Sequence, residues 1–201
     1  MKIDDDLNLV IPIVKDGEDV LIYGYHTPIS RQVFEANFRI IAATKAAMSS
    51  KGGYYEASAG PRIAALALRD MGKRDAAERG DVDDEGESRD GGAEALLAEI
   101  KRLTTVLVPE GGGWQMVPVD AAIRAGKIDE EDWAEAESSI VFFTCHLRMA
   151  KKADRKQMAE AVSGLIGYEL TSLPCSEWSA SLSKSTPAAP TVARVVSSVP
   201  I

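Results

Sequence analysis

The residues of this 201-residue chain that could do chemistry are few, and they are poorly spaced for it. Two histidines, His26 and His146, and two cysteines, Cys145 and Cys175, are its whole stock of imidazole and thiolate metal ligands. Cys145 and His146 are adjacent, so on a helix they point about 100° apart and cannot face one ion. A buried cysteine and a boundary histidine are the simpler expectation. No serine sits in a G-x-S-x-G turn, and Gly126-Lys127 is followed by Ile128 where a phosphate loop needs Ser or Thr to hold magnesium. Asp81-Val-Asp83-Asp-Glu85-Gly86 opens like a calcium loop, yet its twelfth position is Gly92 where a bidentate Glu must close the cage. A solvated acidic loop accounts for it better. The remaining acids crowd into loops and helix starts, so no carboxylate pair stands out for acid-base work. No catalytic residue, cofactor or metal ligand is assigned, and the chain reads as a non-enzyme.

The elements that would have to position such groups fit an ordinary globular domain. Hydrophobic residues make up 45% and charged residues 27%, enough for one sizeable core. Lys and Arg total 23 against 31 Asp and Glu, a formal charge of -8, which disfavours nucleic acid and anionic lipid as partners. Apolar runs such as Ile140-Val-Phe-Phe-Thr-Cys145 fall far short of the roughly 20 residues that cross a bilayer. The start, Met1-Lys-Ile-Asp-Asp-Asp6, is acidic where a signal peptide is basic, so a cytosolic location is expected.

Along the chain, Leu7 to Val14 and Val20 to Tyr25 flank a turn-like Lys15-Asp-Gly-Glu-Asp19 and predict a β-hairpin. Helical spacing then predicts one helix over 30–49 and, after a loop at 54–58, a second beginning with Pro61 in its first turn and running to about Glu78. Residues 80–92 hold one apolar side chain and read as a flexible acidic loop. Leu96, Ile100, Leu103 and Leu107 share a stripe from Ala93 onward, and 111–116 reads as a loop or short strand. After a short helix from Val119, the residues Trp133, Ala136, Ile140, Phe143, Leu147 and Ala150 step by three and four, with Val141 and Phe142 widening the stripe towards full burial. Acids crowd the start of that helix and bases its end, as the helix dipole favours. A last helix is expected over 155–170. The fold class that follows is mainly α, at most α+β: an amino-terminal β-hairpin packed on a bundle of about five helices, residues 1–173, with a flexible Ser/Ala/Pro-rich carboxyl-terminal segment, 174–201.

That last segment retains Trp178, Leu182 and several valines, more apolar anchor than an inert linker needs. Trp178 and Leu182 are therefore the first candidates for partner contact. Trp133 and Phe143 are further candidates, although core packing is the more natural role for both.

Several strings carry a resemblance: Leu7-Asn-Leu-Val-Ile-Pro-Ile-Val14, Tyr23-Gly-Tyr-His-Thr-Pro-Ile-Ser30 with Val33-Phe-Glu-Ala-Asn-Phe38, Gly60-Pro-Arg-Ile-Ala-Ala65, Glu99-Ile-Lys-Arg-Leu-Thr104, Ala136-Glu-Ser-Ser-Ile-Val-Phe-Phe-Thr144 and Thr171-Ser-Leu-Pro-Cys-Ser-Glu-Trp-Ser-Ala-Ser-Leu182. Together they resemble proteins from the tail-gene modules of tailed bacteriophages and prophages, most closely tail assembly chaperones. The resemblance implies a mostly helical, non-enzymatic protein of the host cytoplasm that binds the tape measure protein and recruits tail tube subunits, with no cofactor. It also implies that a longer form made by translational frameshifting can exist. The family brings no residue-level motif, so no site residue follows from it. A structural virion component, such as a connector or minor tail protein ordered within a symmetric particle, is the alternative, and homo-oligomerisation fits either.

Overall fold

The computed structural model describes residues 7–81 and 91–182. The predicted acidic loop falls largely outside that range, as does the predicted carboxyl-terminal segment from 183 onward. The hairpin forms as expected: β1 (Asn8–Asp16) and β2 (Asp19–His26) pair antiparallel around Gly17, whose φ of +61° suits a residue without a Cβ.

The expected helix over 30–49 is two helices, α1 (Arg31–Ala36) and α2 (Phe38–Ser49). Ser30 caps the first by accepting from the Val33 N–H. The break is at Asn37, whose side-chain amide donates to the Val33 carbonyl at 2.9 Å and so competes with the backbone ladder. The expected loop at 54–58 is helical, because α3 runs unbroken from Gly53 to Arg79, with Pro61 in its interior. Proline there removes the N–H that would have bonded the Ala57 carbonyl. Packing outweighs that loss: Gly60, Ala64, Ala65, Leu68, Gly72 and Ala76 are buried, and a Cβ on Gly60 would meet Phe142 Cε2 at 2.6 Å.

The next helix, α4 (Gly91–Arg102), stops before the end of its predicted stripe. Leu107 instead belongs to β3 (Thr104–Glu110), where β-branched residues pair with β2, so the helical spacing of Leu103 and Leu107 was overridden by a tertiary partner. Gly111 (φ +58°) and Gly112 (φ +81°) then make a two-residue turn into β4 (Gly113–Pro118), the short strand among the two readings of 111–116. After α5 (Val119–Arg124) comes the long α6 (Glu130–Met149), opened by a capping box in which Asp129 and Asp132 each accept the other's backbone N–H. Every side chain from Ala136 to Leu147 is buried, the outcome its widened stripe predicted. A 3-10 turn (Lys152–Asp154) leads into α7 (Arg155–Ile166), shorter than predicted because Gly167 (φ +71°) ends it. The chain then forms β5 (Glu169–Thr171) and α8 (Cys175–Ser181).

The five strands make one antiparallel sheet in the order β4-β3-β2-β1-β5. Among the described residues there are thus five strands and eight α-helices, where the sequence announced a lone hairpin and about five helices. The fold is a layer of helices on a sheet, α+β in class. Leu9, Ile11, Ile22, Val106 and Val108 face the helical layer, in which α6 is the central element between α2, α3, α4 and α7. The opposite sheet face carries Val10, Tyr25 and Leu107, and α8 lies against it.

Candidate functional site: an aromatic sheet face and a separate polar groove

The groups with chemical potential are buried, and most of their polar atoms are held by neighbours. His26 lies on β2, wholly buried. The Thr104 hydroxyl donates to the Ile100 carbonyl at 2.8 Å, so its oxygen accepts from His26 Nδ1 at 2.9 Å, and Nε2 is left as an unprotonated lone pair with no hydrogen-bond partner among the described residues. Burial, with help from the Arg148 charge, pulls this imidazole down to about 3. On α6, His146 donates from Nδ1 to the Phe142 carbonyl (2.7 Å) while Nε2 faces Glu56 Oε1 (3.0 Å), and the Ser49 hydroxyl donates to the same carboxylate oxygen at 2.7 Å. A serine nucleophile needs histidine between itself and the acid. Here the acid stands between them, so the trio ties α2, α3 and α6 together without activating an oxygen. Burial opposes charge on Glu56, but the hydrogen bonds from Ser49 and His146 and the charges of His146 and Lys45 outweigh it and hold the carboxyl below its ordinary value. Burial pushes the Cys145 thiol up to about 12, far from a reactive thiolate. No group of three or more His, Cys, Asp or Glu side chains among the described residues could hold a metal ion.

A concavity of about 820 Å³ forms an open groove between α3, α6 and the end of α7. Its floor is an internal polar lattice. Arg69 bridges Glu94 (3.1 Å) and the buried Glu137 (3.0 Å), Glu137 accepts from Trp133 Nε1 (3.2 Å), and Ser138 Oγ accepts from the Ala65 N–H (3.3 Å). That last bond lies one turn beyond Pro61, next to Gly60, which packs against Phe142 of α6. These groups satisfy one another, and the two exposed leucines near them, Leu66 and Leu165, line the groove together with Arg62, Glu131 and Glu135.

The outer sheet face is different in kind. Residues directly opposite in an antiparallel ladder share a face, which sets Met116, Leu107, Tyr23 and Pro12 in one row and Pro118, Thr105, Tyr25 and Val10 in the next. Trp114, opposite Pro109, continues the apolar strip at the β3–β4 end. Tyr23 meets Trp114 and Trp178 edge-on, each at 5.3 Å between centroids. The Tyr25 hydroxyl donates to the Leu173 carbonyl at 2.5 Å and anchors the segment leading into α8. Since α8 is only seven residues long, it covers part of this face. Tyr23 and Trp114 stay half-buried and Met116 is 47% exposed, beside β4, whose outer edge pairs with nothing among the described residues. Burial together with the charges of Glu169 and Asp19 raises the Tyr23 phenol, which places acids at the rim of the strip.

Of the residues singled out for partner contact, Trp133 (4% exposed) and Phe143 (0%) lie in the main core, as core packing would have them. Trp178 (4%) is packed under Tyr23 and Tyr25, and Leu182 is half-buried in the same cluster. Residues 174–182, expected to be a loose segment, are thus folded onto the sheet. Sequence spacing did not bring forward Tyr23, Trp114 and Met116, although Tyr23-x-Tyr25 and Trp114-x-Met116-x-Pro118 carry the two-residue period of a strand face. Comparison with protein-family models, with curated proteins and with solved structures finds no match to this chain. No helix among the described residues is long and apolar enough to cross a membrane.

Proposed function

We propose that this chain is a non-enzymatic binding protein of bacteriophage tail morphogenesis, a tail assembly chaperone that acts in the host cytoplasm on the tape measure and tail tube proteins. The observation that carries the reading is the Tyr23–Trp114–Met116 strip: a partly open aromatic surface next to a strand edge that pairs with nothing among the described residues, suited to holding an extended apolar segment of another protein. The five helices of twelve residues or more, α2, α3, α4, α6 and α7, serve in this reading as a mainly α bundle that stiffens the sheet from behind. The formal charge of -8 keeps a complex with an apolar client soluble.

The test is co-expression with the tape measure and tail tube proteins of the same gene module, followed by co-purification. The chain is expected to retain at least one of them, and Met116→Glu, which puts a charge on the open strip, is expected to release it while the circular dichroism spectrum is kept. Retention of neither protein by the unsubstituted chain ends the chaperone reading. Mass spectrometry of purified particles separates it from the structural alternative, since a chaperone is absent from mature virions and a connector is present in fixed copy number.

A further inference from the structure

The open edge of β4 has a chemistry of its own. A two-residue turn is closed by a hydrogen-bonded pair, here Glu110 and Gly113, and bonded and unbonded pairs then alternate along an antiparallel ladder. Val108–Gln115 and Val106–Val117 are therefore the bonded pairs. Pro109, which has no N–H to give, falls where none is needed, opposite Trp114. The backbone N–H and C=O of Trp114 and Met116 consequently point away from β3, to the side where nothing among the described residues pairs with β4. Natural proteins blunt such an edge with a charge, a proline or a bulge. β4, Gly113-Trp-Gln-Met-Val-Pro118, carries no charged side chain, keeps its proline to its last position and pairs with β3 without a shift in register.

The sequence of this edge fits a second copy of itself. When two β4 strands run antiparallel about a two-fold axis at Gln115, Trp114 of each copy lies opposite Met116 of the other, and each such pair exchanges both of its backbone hydrogen bonds. On the outer face the indole then meets the thioether, a favourable contact. On the helical face the two Gln115 amides meet, each with a donor and an acceptor for the other, while Gly113 leaves space for the Val117 side chain opposite it. A register in which Met116 faces itself would set Trp114 against Pro118, which has no N–H for the Trp114 carbonyl. Charge agrees with the pairing. Lys101 and Arg102 border the same concavity as Pro118, each held in an ion pair, to Asp120 at 2.5 Å and to Glu99 at 2.7 Å. Glu110 lies at the other end of the hairpin and, two residues on from Val108, on the same helical side of the sheet. Antiparallel pairing thus brings Glu110 of one copy towards the base-bearing end of the other and not onto another acid.

We infer that β4 pairs with β4 of a second copy, Trp114 to Met116, so that a dimer closes the edge and joins the two sheets. The pairing stands on the strand itself. Only the later exchange of the second copy for a client strand, at the same edge, rests on the proposed function.

Sedimentation of the full chain over a concentration series is expected to show a monomer–dimer equilibrium. Gln115→Glu sets like charges face to face at the axis, and Met116→Pro removes an N–H that β3 does not use. Each is expected to raise the dissociation constant about tenfold or more with the circular dichroism spectrum kept, since Gln115 is exposed and Met116 makes no ladder bond to β3. Gln115→Cys is expected to give, under mild oxidation, a disulfide that mass spectrometry maps to position 115 of both copies. A chain that stays monomeric throughout, a dimer that both substitutions leave intact, or oxidation that joins no pair at position 115 overturns the inference. Added tape measure protein is expected to replace the dimer by a complex holding a single copy of this chain. A dimer with these responses that binds no tail protein keeps the β4 pairing and loses the chaperone reading, and a monomer that binds one does the reverse.

Discussion

His26 shows how one side chain sets a pH dependence. Its imidazole is pulled down to about 3 in the fold, while in the unfolded chain it titrates near its ordinary 6.5. Between those values the unfolded state binds a proton that the native state refuses, so stability falls as pH falls, by about 1.4 kcal/mol per pH unit for this one group. Above 6.5 both states are neutral and the contribution is flat. Urea unfolding of the wild-type chain and of His26→Gln at several pH values between 7 and 4 is expected to show a gap between the two that narrows or reverses on acidification; a gap independent of pH would mean that His26 is protonated in the native state as well. None of this was visible in the sequence beyond the absence of ligand-spaced neighbours, because burial and the Thr104 contact are made by residues 78 positions apart. Cys145 was better foreshadowed: its place in the apolar Ile140–Cys145 run of a helix already pointed to a buried thiol.

At the level of single elements, α3 and α6 depend on Gly60. An added Cβ there would stand 2.6 Å from Phe142 Cε2, a ring that is itself fully buried and has no room to retreat. Gly60→Ala gains helix propensity of about 1 kcal/mol but meets an overpacking cost of about 1–3 kcal/mol, so net destabilisation is expected, read as a lowered urea midpoint. An unchanged or raised midpoint would show that the two helices can separate without cost. The long helix α6 was legible in its stripe and its acidic start, although of the bases read at its end only Arg148 lies within it. The boundaries of α2, α3 and α4 were not. Asn37, Pro61 and the Thr104–Val108 run each carry a local signal that a neighbouring element either exploits or overrules, and a single sequence does not say which.

For the molecule as a whole, the sheet was the part least visible beforehand. β1 and β2 announced themselves and β4 was one of two readings of 111–116, but β5 is three residues long and β3 begins inside what reads as a helical stripe. The candidate surface was correspondingly hidden: Trp178 was recognised as an anchor, but its socket is assembled from β2, β4 and α8, which meet only after the sheet has closed. Trp178→Ala should therefore cost about 3–5 kcal/mol and detach α8 rather than unfold the helical layer. Near-ultraviolet dichroism and hydrogen exchange are expected to change around α8 and on the outer sheet face while protection within α6 is retained. Uniform loss of protection would mean that α8 and the core unfold as one unit.

The strand order also bears on how the chain is made. The amino-terminal hairpin supplies β2, the central strand of the five, and β1 beside it, yet β1 must wait for β5, with Asn8 pairing to Thr171. During synthesis at ~5–20 residues per second, the hairpin emerges several seconds or more before its last neighbour. In that interval the β1 edge and both hairpin faces are open to any strand nearby. A protein whose proposed task is to shelter apolar segments thus spends the first moments of its own existence in need of the same shelter. Its yield should accordingly fall more steeply with faster expression or higher temperature than its final stability would suggest.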